Sequence, residues 1–445
     1  MDFSRRIFMS AAPVLAAGAV TAGSALAASG NALVSATDLG VRPNAKGDQS
    51  AAFHKAIAKA AERGGALLLP AGTYRLSGIR IDRPIALQGI RGLTTLLTTR
   101  ETGIFTIEAS SVTLDGIGFE GQGTAEESEH DLVSARSCPN LVVRNCSFGN
   151  FAGNGLALTQ CSGRVTHNSA SNIGRTGIFA LDSIGLEITG NDLHDIGNNG
   201  IQVWTSEQRP DGTIISGNRI ERVRYDNGGS GQNGNGIVVF RAGNVIVSHN
   251  RVSDCGYSAI RNNSGRNCQI VNNSVSRLNE TAIYVEFAFD GAVVSGNIIE
   301  TAATGISITN FREGGRLAIC ANNVVRRITG GGSNPNSSAI AIGAEADTIV
   351  TGNVIEGVAY CGIHLGWGPY ARNLMASGNL LRECAIAIAP SVSEGAGPIS
   401  ITGNMIARSE KAIIGMDHTV MKTGELSAMG AEMPAHLTIS GNHVS

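Results

Sequence analysis

The sequence is short of the residues that build an ordinary globular core. Aromatic residues make up 4% and charged residues 16% of its 445 positions. So few aromatic anchors argue against two or three conventional domains, whatever the length suggests. Charge is scarce and balanced, with a formal net of −2. That balance excludes a global pull toward nucleic acid or a membrane surface, and no basic stripe is present. The eight cysteines stand singly, without C-x-x-C pairs or metal-ligand spacing, so they read as small buried hydrophobes. Cys361 and Cys384 each sit two residues before a repeat isoleucine; if their repeats are neighbours, the sulfurs stack within reach of a disulfide.

What is abundant is glycine, at 58 residues, with Asn and Ser mixed among Ile and Val. This mixture suits many short strands joined by tight turns.

The first 27 residues read as a processing signal. Ser4-Arg5-Arg6-Ile7-Phe8-Met9 fits the twin-arginine pattern, a weakly apolar stretch runs from Ala11 to Leu26, and Ala25-Leu26-Ala27 is a small-residue cleavage site. Pro13 and the Ala/Gly richness make the stretch a poor membrane anchor. The expectation is a bacterial protein recognised by the twin-arginine export machinery, cleaved after Ala27, and periplasmic or secreted without a stable anchor.

Self-similarity decides the fold. The pattern apolar-x-x-Asn-x-apolar recurs with Asn at 145, 168, 191, 218, 250, 273, 297, 322, 353, 379, 404 and 442, a unit of about 23 residues with insertions. Eight to ten residues after each Asn comes Gly or Ala, then Ile, any residue, then an apolar one, as in Gly200-Ile201-Gln202-Val203. Alternation over so few residues means strands with one face inward, and no amphipathic helical stretch accompanies it. Wound as a coil, successive repeats pair in parallel about 4.8 Å apart, so like residues stack and the asparagines bond in file. Asn also tolerates a left-handed backbone, which suits the turn. The chain therefore reads as an all-β, right-handed, single-stranded parallel β-helix of about 12 coils over residues 93–445. Residues 28–92 form an N-terminal cap and first strands, with a helix over 48–64 that starts at Asp48, stops at Gly64, and faces inward with Phe53, Ala56, Ile57 and Ala60. Residues Met416 to His436 interrupt the last coil as a loop or C-terminal cover.

Asp38-Leu39-Gly40, this helix, and Pro70-Ala71-Gly72-Thr73-Tyr74 resemble the start of pectate-lyase-superfamily β-helix proteins. With the twin-arginine signal and the Asn repeats, the chain also resembles a bacterial family of twin-arginine-translocated repeat proteins of unknown function. The resemblance implies that the helix closes the N-terminal end of the coil and that the substrate groove lies opposite the asparagine turn, on the Gly-Ile strand. Insertions support that face: Arg222–Asn235 and Arg326–Ser338 precede the strand, and Trp204–Gly212 and Gly366–Arg372 follow it.

On that strand the residue after the inward isoleucine points outward. The first outward column reads Phe179, Gln202, Val238, Arg261, Tyr284, Ser307, Ala341, His364; the second reads Leu181, Trp204, Phe240, Asn263, Glu286, Thr309, Gly343, Gly366. Stiffening of a sheet by cross-strand aromatic and charge pairs is the bland account of such columns. Aromatic rings beside hydrogen-bonding charges also suit the apolar faces and polar rims of sugars. The expected substrate-binding residues are Gln202, Trp204, Phe240, Arg241, Arg312 and Trp367, and the expected catalytic residues are Arg261, Tyr284, Glu286 and His364. Two chemistries fit a polysaccharide or oligosaccharide. In β-elimination on an acidic glycan, the first expectation, Arg261 pairs the substrate carboxylate while Tyr284 or His364 carries the proton. In hydrolysis two carboxylates flank the bond, with Glu286 and Glu345 two coils apart and Asp182, Glu207 and Asp226 as further carboxylates. A non-catalytic glycan binder or envelope spacer is the third reading. The polygalacturonase and pectate-lyase motifs are absent, no cofactor is evident, Ca²⁺ has no supporting motif, and homo-oligomers, trimers included, are compatible with the architecture.

Overall fold

In a computed structural model the described residues are 33–445, except 101, 124–128, 230, 310–314, 334 and 336. The twin-arginine signal and Arg312 lie outside them.

Each coil has three strands, as in Glu187–Thr189, Asp192–Ile196 and Asn199–Pro210. The first strands of successive coils form a 16-stranded parallel sheet from Val34–Ser35 to Leu437–Ser440. The second and third strands pair in the same sense, for example Asp192 with Arg219 and Ile201 with Ile237. About 13 turns result. Inward positions stack as apolar files such as Val165–Ile188–Ile215–Val247, all buried. This explains the low aromatic count: the interior of a coil is narrow and β-branched residues fill it.

One helix, α1 (Ser50–Glu62), closes the N-terminal end. It is shorter than the 48–64 expected, because Asp48 sits just outside it and accepts the Ser50 N–H at 2.8 Å, while the Gly65 N–H reaches back to Ala60 O at 2.8 Å. Its buried face is Phe53, Ala56, Ile57 and Ala60, as expected. Phe53 begins an internal run of rings, Phe53–Phe105–Phe119–Phe148, at centroid spacings of 6.0, 5.4 and 5.2 Å.

The asparagine file is real, and its register needs two corrections. Asn168, Asn191, Asn218, Asn250, Asn273, Asn297, Asn323, Asn353, Asn379, Asn404 and Asn442 stack, each of the first ten donating its backbone N–H and Nδ2 to the next Oδ1 at 2.9–3.0 Å. Asn323, not Asn322, is the member of this file, and Cys146 occupies the slot next to Asn145. The reason is the backbone. The left-handed residue is the one before the stacked slot: Asn145, His167, Gly190, Gly217, His249, Asn272, Gly296 and Asn322 all have φ between 54° and 69°. Asn at 145 and 322 serves that turn instead of the file.

All eight cysteines are free and buried. Cys361 pairs in register with Ile386, and Cys384 with Val358, so the two sulfurs do not stack. Burial pushes the Cys384 thiol up to about 12 and raises Cys361 as well. At the C-terminal end the interruption is an antiparallel hairpin, Lys411–Asp417 with Val420–Glu425.

Asn273→Ala should lower the free energy of unfolding by about 2–4 kcal/mol, because it orphans the buried Val247 carbonyl and an acceptor on Asn297. Denaturant melts followed by circular dichroism measure it; a change below about 0.5 kcal/mol would contradict the structural role of the file.

Candidate functional site

The third-strand face gathers most of the residues expected there. Arg261 and Tyr284 are register partners on adjacent coils, as are Asn263 and Glu286. Arg261 meets Glu286 with a two-pronged contact, Nε to Oε1 at 2.6 Å and Nη2 to Oε2 at 2.9 Å. Asn263 Nδ2 adds a bond to Glu286 Oε1 at 2.9 Å. The third guanidinium nitrogen, Nη1, donates to Gly231 O at 2.8 Å and lies 3.5 Å from Glu280 Oε2. The guanidinium also stands 4.9 Å over the Tyr284 ring. The side chains of Arg261 and Glu286 are only 11% and 3% exposed, so this ion pair is well removed from water.

Glu280 is the member sequence reading missed. It accepts the Ser258 hydroxyl at 2.9 Å, and burial lifts its carboxyl above the ordinary range, against the pull of Arg261 and Ser258. A signal for this corner exists. Two residues before the repeat isoleucine stands a polar side chain in coil after coil: Thr176, Asn199, Asn235, Ser258, Thr281, Thr304. Part of this column bonds as a second file, Asn235 Nδ2 to Asn199 Oδ1 at 3.2 Å and Ser258 N to Asn235 Oδ1 at 3.1 Å. Glu280 is attached to it through Ser258. Burial pushes the Tyr284 phenol up to about 12, with Glu286 adding to the shift, so Tyr284 is a proton donor and not a base at neutral pH.

Upstream, Phe179, Trp204 and Phe240 form a run of rings at 5.8 and 5.5 Å. They are half-buried, and the Trp204 Nε1–H is buried without a partner. Arg241 is exposed, stacks at 4.7 Å on Phe240, and donates to Ser206 O at 2.8 Å. Gln202 is buried and accepts the Thr176 hydroxyl at 2.6 Å, so it supports the ring run from beneath.

Downstream the outward columns shift by two residues from the sequence reading. Ile342, not Ile340, is the register partner of Ile306 and Ile363, which puts Gly343 in the first column in place of Ala341. Gly343 thereby leaves the second column, where Glu345 stands between Thr309 and Gly366; the Glu345 N–H bonds Ile308 O, and the Gly366 N–H bonds Ala344 O. The insertion 326–338 hides this register in the sequence, because Ile340 and Ile342 both fit the pattern. Glu345, His364 and Trp367 line a small cleft of about 190 Å³ with Ser307 and Thr309. His364 is 3% exposed, its Nε2 lies 3.0 Å from His418 O, and burial lowers its pKa, so the ring is neutral with its proton on Nε2. It is thus separated from the Arg261 centre and covered by the C-terminal hairpin.

Among the described residues, no three His, Cys, Asp or Glu side chains are grouped to hold a metal ion. The centre thus offers one carboxyl of raised pKa, one carboxylate fixed by a guanidinium, and a phenol, beside a row of aromatic rings.

The comparisons agree on the architecture. The family described as right handed beta helix region matches residues 93–220 and 154–324. No curated protein sequence matches the chain. Among solved structures, the enzymatically active domain of bacteriophage CBA120 tailspike protein 2 is similar at 14% identity and a TM-score of 0.51, over 65% of this chain and 47% of that one. The chain thus spans about half the length of that domain. The catalytic unit of a thermostable GH87 alpha-1,3-glucanase from Streptomyces thermodiastaticus is similar at 18% identity and a TM-score of 0.50, over 95% and 70% of the two chains. The pre-mature gene product 12 of bacteriophage phi29 gives 14% identity and a TM-score of 0.50, over 89% and 58%.

Because the folded pKa of Glu280 is raised, its ionisation opposes folding as pH rises through that pKa, and the neutral glutamine escapes the penalty. Glu280→Gln should therefore raise the melting temperature at neutral pH, with the two proteins converging below the ordinary glutamate range. Scanning calorimetry at several pH values measures this; a constant difference across pH would remove Glu280 from the role of a strained acid.

Proposed function

This chain belongs to the right-handed β-helix family, and on that premise we propose that it is a carbohydrate-processing enzyme that hydrolyses a glycan laid along the third-strand face. The observation that carries the reading is the placement of Glu280, a carboxyl of raised pKa, one guanidinium away from the carboxylate of Glu286, which continues the outward column of Trp204, Phe240 and Asn263. A carboxyl of raised pKa with a second carboxyl close by is the usual equipment for glycosidic cleavage. Glu280 is the proton donor to the departing oxygen. As the bond from that oxygen to the anomeric carbon breaks, water adds to the carbon and the Glu286 carboxylate, held by Arg261, takes the proton the water loses, while the Tyr284 hydroxyl donates a hydrogen bond to the sugar. The aromatic rings hold the sugar faces.

Electrostatics favours hydrolysis over elimination. Elimination needs a cation for the substrate carboxylate, and Arg261 already spends its fork on Glu286. Arg224, at the rim, is likewise closed on Asp226. A buried centre of no spare positive charge repels an acidic ring more than it attracts one. The alpha-1,3-glucanase of similar fold adds support at the level of the fold alone.

Incubation with neutral and acidic glycans should release reducing ends without the ultraviolet absorbance of an unsaturated product, and Glu280→Gln should cut the rate by 10²–10⁴-fold. A rise in that absorbance would restore elimination. Binding with no product from any glycan, or a Glu280→Gln variant as fast as the parent, would refute the enzymatic assignment.

We also propose export through the twin-arginine route, on the strength of Ser4–Met9 and Ala25–Ala27. Replacing Arg5 and Arg6 with lysine should trap uncleaved precursor in the cytoplasm, and unchanged processing in cell fractions would count against it.

A further inference from the structure

A second, larger cleft of about 670 Å³ lies where the second strands bend into the third, bounded by residues 224–226 at one end and 329–332 at the other. It runs across five coils, from Val223 through Cys255, Leu278 and Ala302 to Thr329, a length of about 19 Å at the parallel-strand spacing. Neither Arg261, Glu280, Tyr284 nor Glu286 lines it. The insertion 222–235 has a part in both places: its Gly231 carbonyl takes Arg261, while its Tyr225 and Asp226 line the cleft.

Three features of the lining point to one class of ligand. Tyr225 is 45% exposed, yet it is locked in place. Its ring packs edge-on against Tyr257 at 5.1 Å, and the Tyr257 hydroxyl donates to Gly229 O at 2.9 Å. Glycine at 256 lets the Tyr225 ring lie directly on the backbone, since a Cβ there would come within 2.4 Å of its Cδ1. Beside this platform stand two forked ion pairs. Arg224 grips Asp226 with Nε at 3.0 Å and Nη2 at 2.8 Å, and Arg277 grips Asp254 with Nε at 2.6 Å and Nη2 at 2.5 Å. Each pair is neutral as a unit and partly exposed, so it presents outward N–H donors and carboxylate lone pairs together. Adjacent hydroxyls of a sugar need that combination, while a net charge of zero gives a polyanion nothing to hold. Toward the far end the lining is of small residues, Ala303, Gly330 and Gly332 among them, which leaves room for a ring chain.

We propose that this cleft is a separate binding site for a neutral oligosaccharide, with Tyr225 as its stacking platform and the Arg224–Asp226 and Arg277–Asp254 pairs as its hydroxyl clamps. It goes beyond the hydrolytic reading and does not depend on it. Two sites on one solenoid, one that holds a chain and one that cuts it, would keep a long glycan engaged between cleavage events.

The test uses an array of neutral oligosaccharides, followed by calorimetric titration with the hexasaccharide that gives the strongest array signal. Tyr225→Ala should weaken binding at least tenfold, and Arg277→Met, which removes one clamp from an exposed position, at least threefold. Arg277→Met should keep the parent melting temperature within the error of the melt, and Tyr225→Ala, which loses its packing on Tyr257, should lower it by a few degrees yet remain fully folded at the titration temperature. Glu280→Gln should leave this binding intact. If Glu280→Gln also leaves turnover untouched while Tyr225→Ala abolishes binding, the hydrolytic reading fails and this one stands. An array with no Tyr225-dependent signal, or binding that neither variant weakens, overturns the proposal.

Discussion

Everything in this protein rests on the requirement that equivalent residues of successive coils lie directly over one another. Backbone hydrogen bonding in a parallel solenoid supplies the spacing but not the rotational register, which a slip of one residue would destroy. The asparagine file supplies the register. Each Oδ1 accepts two N–H groups from the preceding coil, and each Nδ2 also reaches a carbonyl one coil further back, as Asn191 does to Val165. These bonds are buried, so a displaced coil would strand several polar groups at once. The corner is consequently fixed from Asn168 to Asn442, and length variation is confined to other corners. That is why insertions gather around the third strand, where a ligand can be met without disturbing the stack.

The stack was legible in the sequence because it repeats: Asn at one corner, isoleucine in the middle, a helix before the first coils. Asn145 and Asn322 fit the file's spacing yet have left-handed backbones, because Asn suits both the turn and the slot beside it and one sequence cannot tell them apart. Ile340 and Ile342 both fit the pattern after a long insertion, and only pairing with Ile306 and Ile363 separates them. Glu280 went unnoticed because it precedes the recognisable tetrad, although a polar column two residues before the isoleucine announces that corner. The export signal lies outside the described residues and stands on its motif alone.

Arg261, Tyr284 and Glu286 were singled out as types, and the fold brings them into contact; what sequence could not convey is that they satisfy one another. A forked, nearly water-free pair between Arg261 and Glu286 cancels the charge that an acidic substrate would need, and burial raises the carboxyl pKa of Glu280 beside it. His364 lies in another cleft, closed over by the C-terminal hairpin. The register thus decides the chemistry: shifting one coil by two residues would separate Arg261 from Glu286 and remove the reason for reading this face as a site.

The most direct measurement of that register is a pulsed electron-resonance distance between spin labels at Glu187, half-buried, and Ile349, exposed, both in the outward column of the first sheet. The eight native thiols are buried and would stay unlabelled. Six register steps separate the two positions, through Ile214, Ile246, Gln269, Val293 and Ile319, so the label sites should lie about 29 Å apart along one axis. Moving the second label to Val293, four register steps from Glu187, should shorten that to about 19 Å. Distances that fail to fall in proportion to the number of coils would contradict the stacked solenoid and everything built on it.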